Sequence, residues 1–332
     1  MSETYVGGPY FDELTHGQIF DEAPAVTLTS GLAATHQAIL GDRMRLSLDA
    51  HLSAAVTGSP GSVANPGLIT DIAIGQSTLV THHVKANLFY RGLRFHRFPV
   101  LGDTLYTRTE VVGLRENSSK PGRAPTGLAA LRMTSADQNG NTVLDFYRCA
   151  MLPLSSSPDN SRVRHNDDLS AIGPAVAAPY DSPDGWNLDA YRNKVPGRHF
   201  EQELVGTIFR SSGDVVSSAP ELARLSLNIA ATHHDERVSA QGRLVYGGHT
   251  IGIALAQATR ALPNIVTVLG WHSCDHTGPV HEGDTLTSEL HVESSTPLEQ
   301  GTALELRSLV FAHNTSAADA PVLDWRFTVL MA

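Results

Sequence analysis

The chain is written twice. The segment "NPGLITDIAIGQST" (65–78) sets against "YGGHTIGIALAQAT" (246–259), placing Gly67 on Gly248, Ile72 on Ile253, Ala73 on Ala254, Gln76 on Gln257 and Thr78 on Thr259. "FPVLGDTL" (98–105) sets against "GPVHEGDTL" (278–286) with one inserted residue, and "VLDFYRCAML" (143–152) against "VLDWRFTVLM" (322–331). Three anchors in one order, each about 180 residues from its copy, mean that whatever fold the chain adopts, it adopts twice.

Between the copies lies a stretch rich in Pro, Ser, Asp and Asn without sustained periodicity, which reads as a connector. The domains are therefore expected at 1–155 and 196–332, with a linker at 156–195. A length of 332 residues with 41% hydrophobic residues suits two ordinary domains. No basic region followed by an apolar run opens the chain, and "IGIALAQATRALPNIVTVLG" is broken by Gln, Arg, Pro and Asn, so no membrane span is expected. Cys149 and Cys274 lie far apart and make neither a disulfide framework nor a paired-cysteine zinc signature, which suits a cytoplasmic location. A formal charge of −10 argues against a generic nucleic-acid binder.

Each copy runs in the same order: a short helix, a loop, a Gly-led apolar helix, then strand-like runs. In the second copy Ser218 is expected as an N-cap, with Glu221 three residues on and Pro220 tolerated in the first turn. The helix after Gly248 carries apolar residues nearly all round, so most of its sides are buried. The four runs that follow, from "ALPNIVTVLGWHS" to "PVLDWRFTVLM", read as consecutive antiparallel strands. The class is α+β, with a sheet wrapped around a central helix in each copy.

These residues resemble the MaoC-like (R)-specific enoyl-CoA hydratases and dehydratases of the hotdog fold, in the fused double-hotdog form. "ILGDRMRLSLD" (39–49) is similar to the family loop G-D-x-N-P-[ILV]-H-x-D, and "PVLGDTL" and "PVHEGDTL" are similar to its Pro-Val turn. "NIAATHHDE" (228–236) is similar to the mesaconyl-CoA-hydratase variant, with Asn in place of the first Asp. In the first copy Asp42 stands at the acid position, but Met44 replaces Asn and Ser47 replaces His, which implies a non-catalytic half. In the second, Asn228 stands at the acid position and His233 at its partner's, followed by a supporting Asp235. The resemblance implies a double hotdog and reversible hydration of a trans-2-enoyl thioester to the (R)-3-hydroxyacyl thioester, in fatty acid metabolism. It implies no cofactor, with acyl-CoA, or an acyl-carrier-protein thioester, as substrate and partner. One fused chain supplies both copies, and a homodimer of it stays open.

The chemistry suits the residues. Imidazole is a base poised near neutral pH, whereas Asn228 can orient a water or a substrate oxygen but takes no proton. The "YGGH" that opens the second central helix offers Gly247 and Gly248 N–H groups to a thioester oxygen, with His249 as a further polar contact. Tight packing explains the same glycines equally well when they are taken alone. Arg91 and Arg94, in a basic stretch with Lys85 and Arg97, are candidates for the CoA phosphates, against the plainer reading of a solvated strand face. His234 is expected to point away into solvent. His272, Cys274 and His276 would share a strand face, but their spacing suits a polar line better than a metal site. Two alternatives belong to other classes. One is an acyl-thioester-binding protein without turnover, suggested by Asn228. The other is a hotdog thioesterase, for which Asp71 would be the carboxylate, with Gly252 at the matching place.

Overall fold

The computed structural model describes residues 6–119, 121–156, 164–173, 179–238, 242–314 and 317–332. The two copies share one twelve-stranded antiparallel sheet. Its long strands are β1 (Ala86–Phe95), β2 (Thr104–Glu116), β3 (Thr126–Ala136) and β4 (Thr142–Pro153) in the first copy. The second copy supplies β5 (Ile265–His276), β6 (Thr285–Pro297), β7 (Thr302–Asn314) and β8 (Ala317–Met331). The spatial order β2-β3-β4-β1-β5-β8-β7-β6 is the same outward from the centre on both sides, with short edge strands on β2 and β6. Each half curls around one helix, Pro66–Gln76 or Gly247–Ala261, and residues 248–259 of the second are all buried. This is an α+β double hotdog.

The repeated residues turn out to be the fastenings. Gln76 donates to the Leu105 carbonyl at 3.1 Å, and Gln257 to that of Leu286 at 2.9 Å, tying each helix to the first long strand after the turn. In each Gly-Asp-Thr-Leu turn the Asp carboxylate accepts a backbone N–H three residues back: Val100 to Asp103 at 2.9 Å, His281 to Asp284 at 2.8 Å. Across the centre, β1 pairs with β5, Tyr90 lying opposite Cys274, and Arg91 bonds Asp275 at 2.6 Å. A sheet continuous through this seam leaves no unpaired edge between the copies.

The two central helices touch closely. Gly248 has no room for a side chain because the Asp71 carboxylate and the Tyr246 ring lie against it. At the far end of the first helix, a Cβ on Gly75 would overlap the Ser226 carbonyl. The loop after Ser226 is thus seated on the first copy: Ile229 N–H donates to Thr78 Oγ1 at 3.0 Å and Ala231 N–H to the His82 carbonyl at 3.0 Å.

Ser218 begins its helix (Ala219–Leu225) as expected in position but makes no cap bond, because its backbone is left-handed at φ 59°. Glu282 instead accepts from Ala219 N–H at 3.3 Å. Within the connector, Trp186, Leu188, Tyr191 and Val195 are buried in a second apolar cluster with Leu46, Leu52, Val56, Val266 and Leu269. The short helix Leu188–Lys194, which carries Leu188 and Tyr191, is capped by Asn187, whose N–H also donates to the Val56 carbonyl at 2.7 Å. Composition marks this stretch as a connector, yet its aromatics are core.

Gly75→Ala gains about 1 kcal/mol of helix propensity but must push the Ser226 backbone away, so a net loss of about 2 kcal/mol is expected. Thermal unfolding should show a midpoint several degrees lower; an unchanged midpoint would mean that the loop is not seated on Gly75.

Candidate active site

A cavity of about 670 Å³ opens between the halves, a size suited to a small-molecule acyl group. The first copy lines it with Thr78, Thr81, residues 84–88, Tyr90 and Arg148. The second copy contributes Asn228, His233, Tyr246, Gly247, Thr250 and the stretch 276–281.

Asn228 and His233 both reach this cavity, from the loop seated on the first helix. Leu227 makes the bend in left-handed backbone at φ 60°, a costly geometry for a branched residue, which turns Asn228 inward. Asn228 Oδ1 accepts from Ala230 N–H at 3.0 Å, so the amide Nδ2 remains for a ligand. His233 Nδ1 lies 2.8 Å from the Leu244 carbonyl; a carbonyl only accepts, so Nδ1 carries the proton and Nε2 the lone pair. Burial pushes the His233 pKa down to about 4, against the raising effect of the Leu244 bond, with His234 and Arg148 lowering it further. His233 is therefore neutral near pH 7. His234 is not left to solvent: its Nε2 donates to the Asn228 carbonyl at 2.6 Å and braces the loop. Asp235 lies outside the cavity and accepts from Arg237 N–H at 2.9 Å, capping the next turn.

Gly247 lines the cavity at the start of its helix, and a Cβ there would meet His276 Nε2 at 2.7 Å. The first-turn N–H groups of a helix have no intrahelical acceptor. In the first copy Asn65 caps its own helix, accepting from Gly67 N–H at 2.8 Å. In the second its counterpart is Tyr246, which makes no cap bond and leaves the helix start open to a ligand. Gly248 does not line the cavity; it is glycine because Asp71 crosses there. His249 does not reach the cavity either. It points into the core, fully buried, with neither ring nitrogen hydrogen-bonded, and burial lowers its pKa to about 4. His276, rather than His249, lies at the cavity wall next to Gly247.

Arg91 and Arg94 are not at the cavity. Arg91 is spent on Asp275 across the seam and lies over the Phe89 ring, and Arg94 bonds the Pro179 carbonyl at 2.7 Å and lies over Tyr180. Lys85 is the cation of that basic stretch that does line it. A bulge in the pairing of β5 with β8 between Trp271 and Ser273 turns His272 outward, so His272, Cys274 and His276 share no face. Among the described residues no group of three or more His, Cys, Asp or Glu could hold a metal ion. Asp71 is buried outside the cavity, its carboxylate 3.1 Å from His36. Arg148, Thr81 and Tyr90 were not singled out from sequence. The signal was present for one of them: Arg148 stands where the repeat has Phe327, at an inward position of a strand.

The matching region of the first copy is filled. Val266 and Leu269 stand where the repeat has Lys85 and Leu88, and both belong to the cluster that Trp186 and Tyr191 complete. Asp42 is bonded to Met44 N–H at 2.7 Å and Asn65 at 2.9 Å, and burial raises its pKa.

No family model matches the chain. It is 27% identical to a beta-methylmalyl-CoA dehydratase of Chloroflexus aurantiacus over 100% of this chain and 99% of that protein. To a mesaconyl-CoA hydratase of Cereibacter sphaeroides it is 25% identical, over 93% and 90%. Among solved structures, Rv0216 of Mycobacterium tuberculosis, a conserved hypothetical protein with a double hotdog fold, is 62% identical with a TM-score of 0.94, covering 99% and 100% of the two chains. A MaoC domain protein dehydratase structure from Chloroflexus aurantiacus is 25% identical with a TM-score of 0.83, covering 99% of each.

The first copy has Leu68 where the second has His249, so His249→Leu should fit and remove a buried unsatisfied polar group, stabilising the protein by about 1 kcal/mol. The pKa of His249 is lower folded than unfolded. Its contribution is therefore full above the unfolded value near 6.5 and is lost as pH falls towards about 4. Between those limits the thermal midpoint of the variant should fall less steeply than that of the wild type; parallel curves would mean that His249 titrates normally.

Proposed function

Since the chain belongs to the MaoC-like double-hotdog hydratases and dehydratases, we propose that it catalyses the reversible addition of water to a trans-2-enoyl-CoA, giving the 3-hydroxyacyl-CoA. The names of both curated relatives, a hydratase and a dehydratase of CoA thioesters, support this. The observation that carries it is the neutral His233, its Nδ1 fixed on Leu244, in one cavity with the Asn228 amide and the open helix start at Gly247.

In the hydration direction Asn228 Nδ2 orients the water and His233 Nε2 takes its proton as the oxygen bonds to C3. The C2–C3 π electrons move towards the thioester carbonyl. The charge that develops on its oxygen is met by first-turn N–H groups at Gly247 and by the positive end of the helix. The imidazolium then returns its proton to C2, so one base serves both transfers. Asn228 holds no proton of its own to give.

The second reading, a protein that binds acyl thioesters without turnover, rests on that same Asn228. The thioesterase reading has less support, because Asp71 is paired with His36 away from the cavity.

Loss of the conjugated enoyl-thioester absorbance with short, long and branched enoyl-CoAs tests the proposal. His233→Ala should lower kcat/KM by roughly 10³-fold or more, and Asn228→Ala by roughly 10-fold to 100-fold. Absence of turnover by the wild type alongside acyl-CoA binding would establish the second reading, and release of free CoA the third. With the His233 pKa at about 4, wild-type kcat/KM should stay on its plateau at pH 5.5, where an ordinary imidazole is about nine-tenths protonated. An acid limb centred near 6.5 would remove His233, as described, from the role of base.

A further inference from the structure

One imidazole in the cavity wall takes no part in the steps above. His276 closes β5, and its Nε2 is buried with no hydrogen-bond partner. The ring edge that carries Nε2 lies against the start of the second central helix: a Cβ on Gly247 would stand 2.7 Å from Nε2 and 2.8 Å from Cε1. Tyr90 meets the ring edge-on at 69°, with centroids 5.9 Å apart. Burial lowers the His276 pKa to about 4, so the ring is uncharged at physiological pH.

The fold itself needs no imidazole there. His276 pairs with Leu323 on β8, and in the first copy the residue that pairs with the matching Leu144 is Phe95, a core residue. A buried nitrogen without a partner is destabilising, and a phenyl ring in the same slot avoids that. The polar residue stands only in the copy that also has His233 and Asn228.

A lone pair on Nε2 would accept a first-turn N–H of the adjoining helix, and no such bond is made. With the proton on Nε2, an N–H group stands beside those of the open helix start with no acceptor among them. Donors that converge in this way suit an oxygen on which negative charge develops, and a neutral imidazole polarises a carbonyl without giving up its proton.

We infer that His276 is a further catalytic residue, whose Nε2–H donates to the thioester carbonyl oxygen beside the N–H groups at Gly247. This rests on the hydration reading above and deepens it. As the water oxygen bonds to C3 and His233 takes the proton, the C2–C3 π electrons move towards the carbonyl, and the bond from His276 strengthens with the charge on its oxygen. When the His233 imidazolium protonates C2, the carbonyl is restored. His276 keeps its proton throughout. His233 moves protons, Asn228 places the water, and His276 with the helix start holds the oxygen.

The test compares His276→Phe, which installs the residue of the first copy, with His276→Gln, whose amide keeps a donor. On the enoyl-CoA that the wild type hydrates fastest, His276→Phe should lower kcat by roughly 100-fold while KM stays within about threefold, and His276→Gln should recover about tenfold of that loss. The thermal midpoint of His276→Phe should equal or exceed that of the wild type, because an unpaired nitrogen leaves the interior, which separates lost chemistry from misfolding. A kcat within about threefold of wild type in His276→Phe, a loss confined to KM, or an equal loss in both variants would each overturn the inference. Infrared difference spectra with butyryl-CoA, isotope-labelled at its thioester carbonyl and unable to be hydrated, read the contact without turnover. The wild type should move the labelled band to lower wavenumber than in water, and His276→Phe should lose most of that shift. Such a result sustains the contact of His276 with the thioester oxygen even if no enoyl-CoA is hydrated. A band unshifted in the wild type, or shifted alike in both proteins, refutes it.

Discussion

The Ser226 carbonyl rests where a side chain on Gly75 would be, and the site depends on that contact. The loop from 226 to 234 has no sheet of its own to lean on. It is held by the end of the other copy's helix, through Gly75, Thr78 and the His82 carbonyl, and by its own His234. The left-handed bend at Leu227 persists because these contacts over-determine it, and the bend sets the direction of Asn228. Neither copy could build this loop geometry alone, so the antiparallel seam of β1 with β5 and the helix crossing at Gly248 are conditions for the site as well as for the fold.

From a nearly symmetric frame the two halves have become chemically unlike through a few exchanges. Asn65 spends an N–H of its helix start on a cap, while Tyr246 leaves its own helix open. Ser47 stands opposite His233, and Phe327 opposite Arg148. Trp186 and Tyr191 occupy the side where the first copy would have opened a cavity. The frame stays symmetric because its fastenings, Gln76 and Gln257, Asp103 and Asp284, serve backbone geometry that both copies need.

The duplication made most of this architecture legible. The repeated Gln and Gly-Asp-Thr-Leu residues mark structural positions, and the loop's resemblance to the family motif points to Asn228 and His233, which both line one cavity. What could not be read follows from three-dimensional causes. His249 follows two glycines and so reads as a ligand contact, but one helical step rotates it into the core. Gly248 answers to a crossing helix some 180 residues away in sequence, and Arg91 and Arg94 are taken up by partners that strand pairing and the connector bring. The bulge near His272 breaks the alternation on which the three-residue face depended. Arg148 is visible as a charge in an apolar strand, but that its Nε is buried without an acceptor is a fact of packing that no pattern states.

The buried connector has a consequence for how such a chain can change over generations. A fresh duplication starts with two equivalent workshops, each tested by its own output. Once residues 186–195 fill one of them, the first copy is tested only through what it does for its neighbour. Substitutions at its inward positions then alter selectivity without touching the reacting groups, and the first copy becomes the part of the molecule where new substrates can be tried. Reversal is hard: emptying the filled side would expose Trp186 and Tyr191 and loosen the tether that keeps the pair in register.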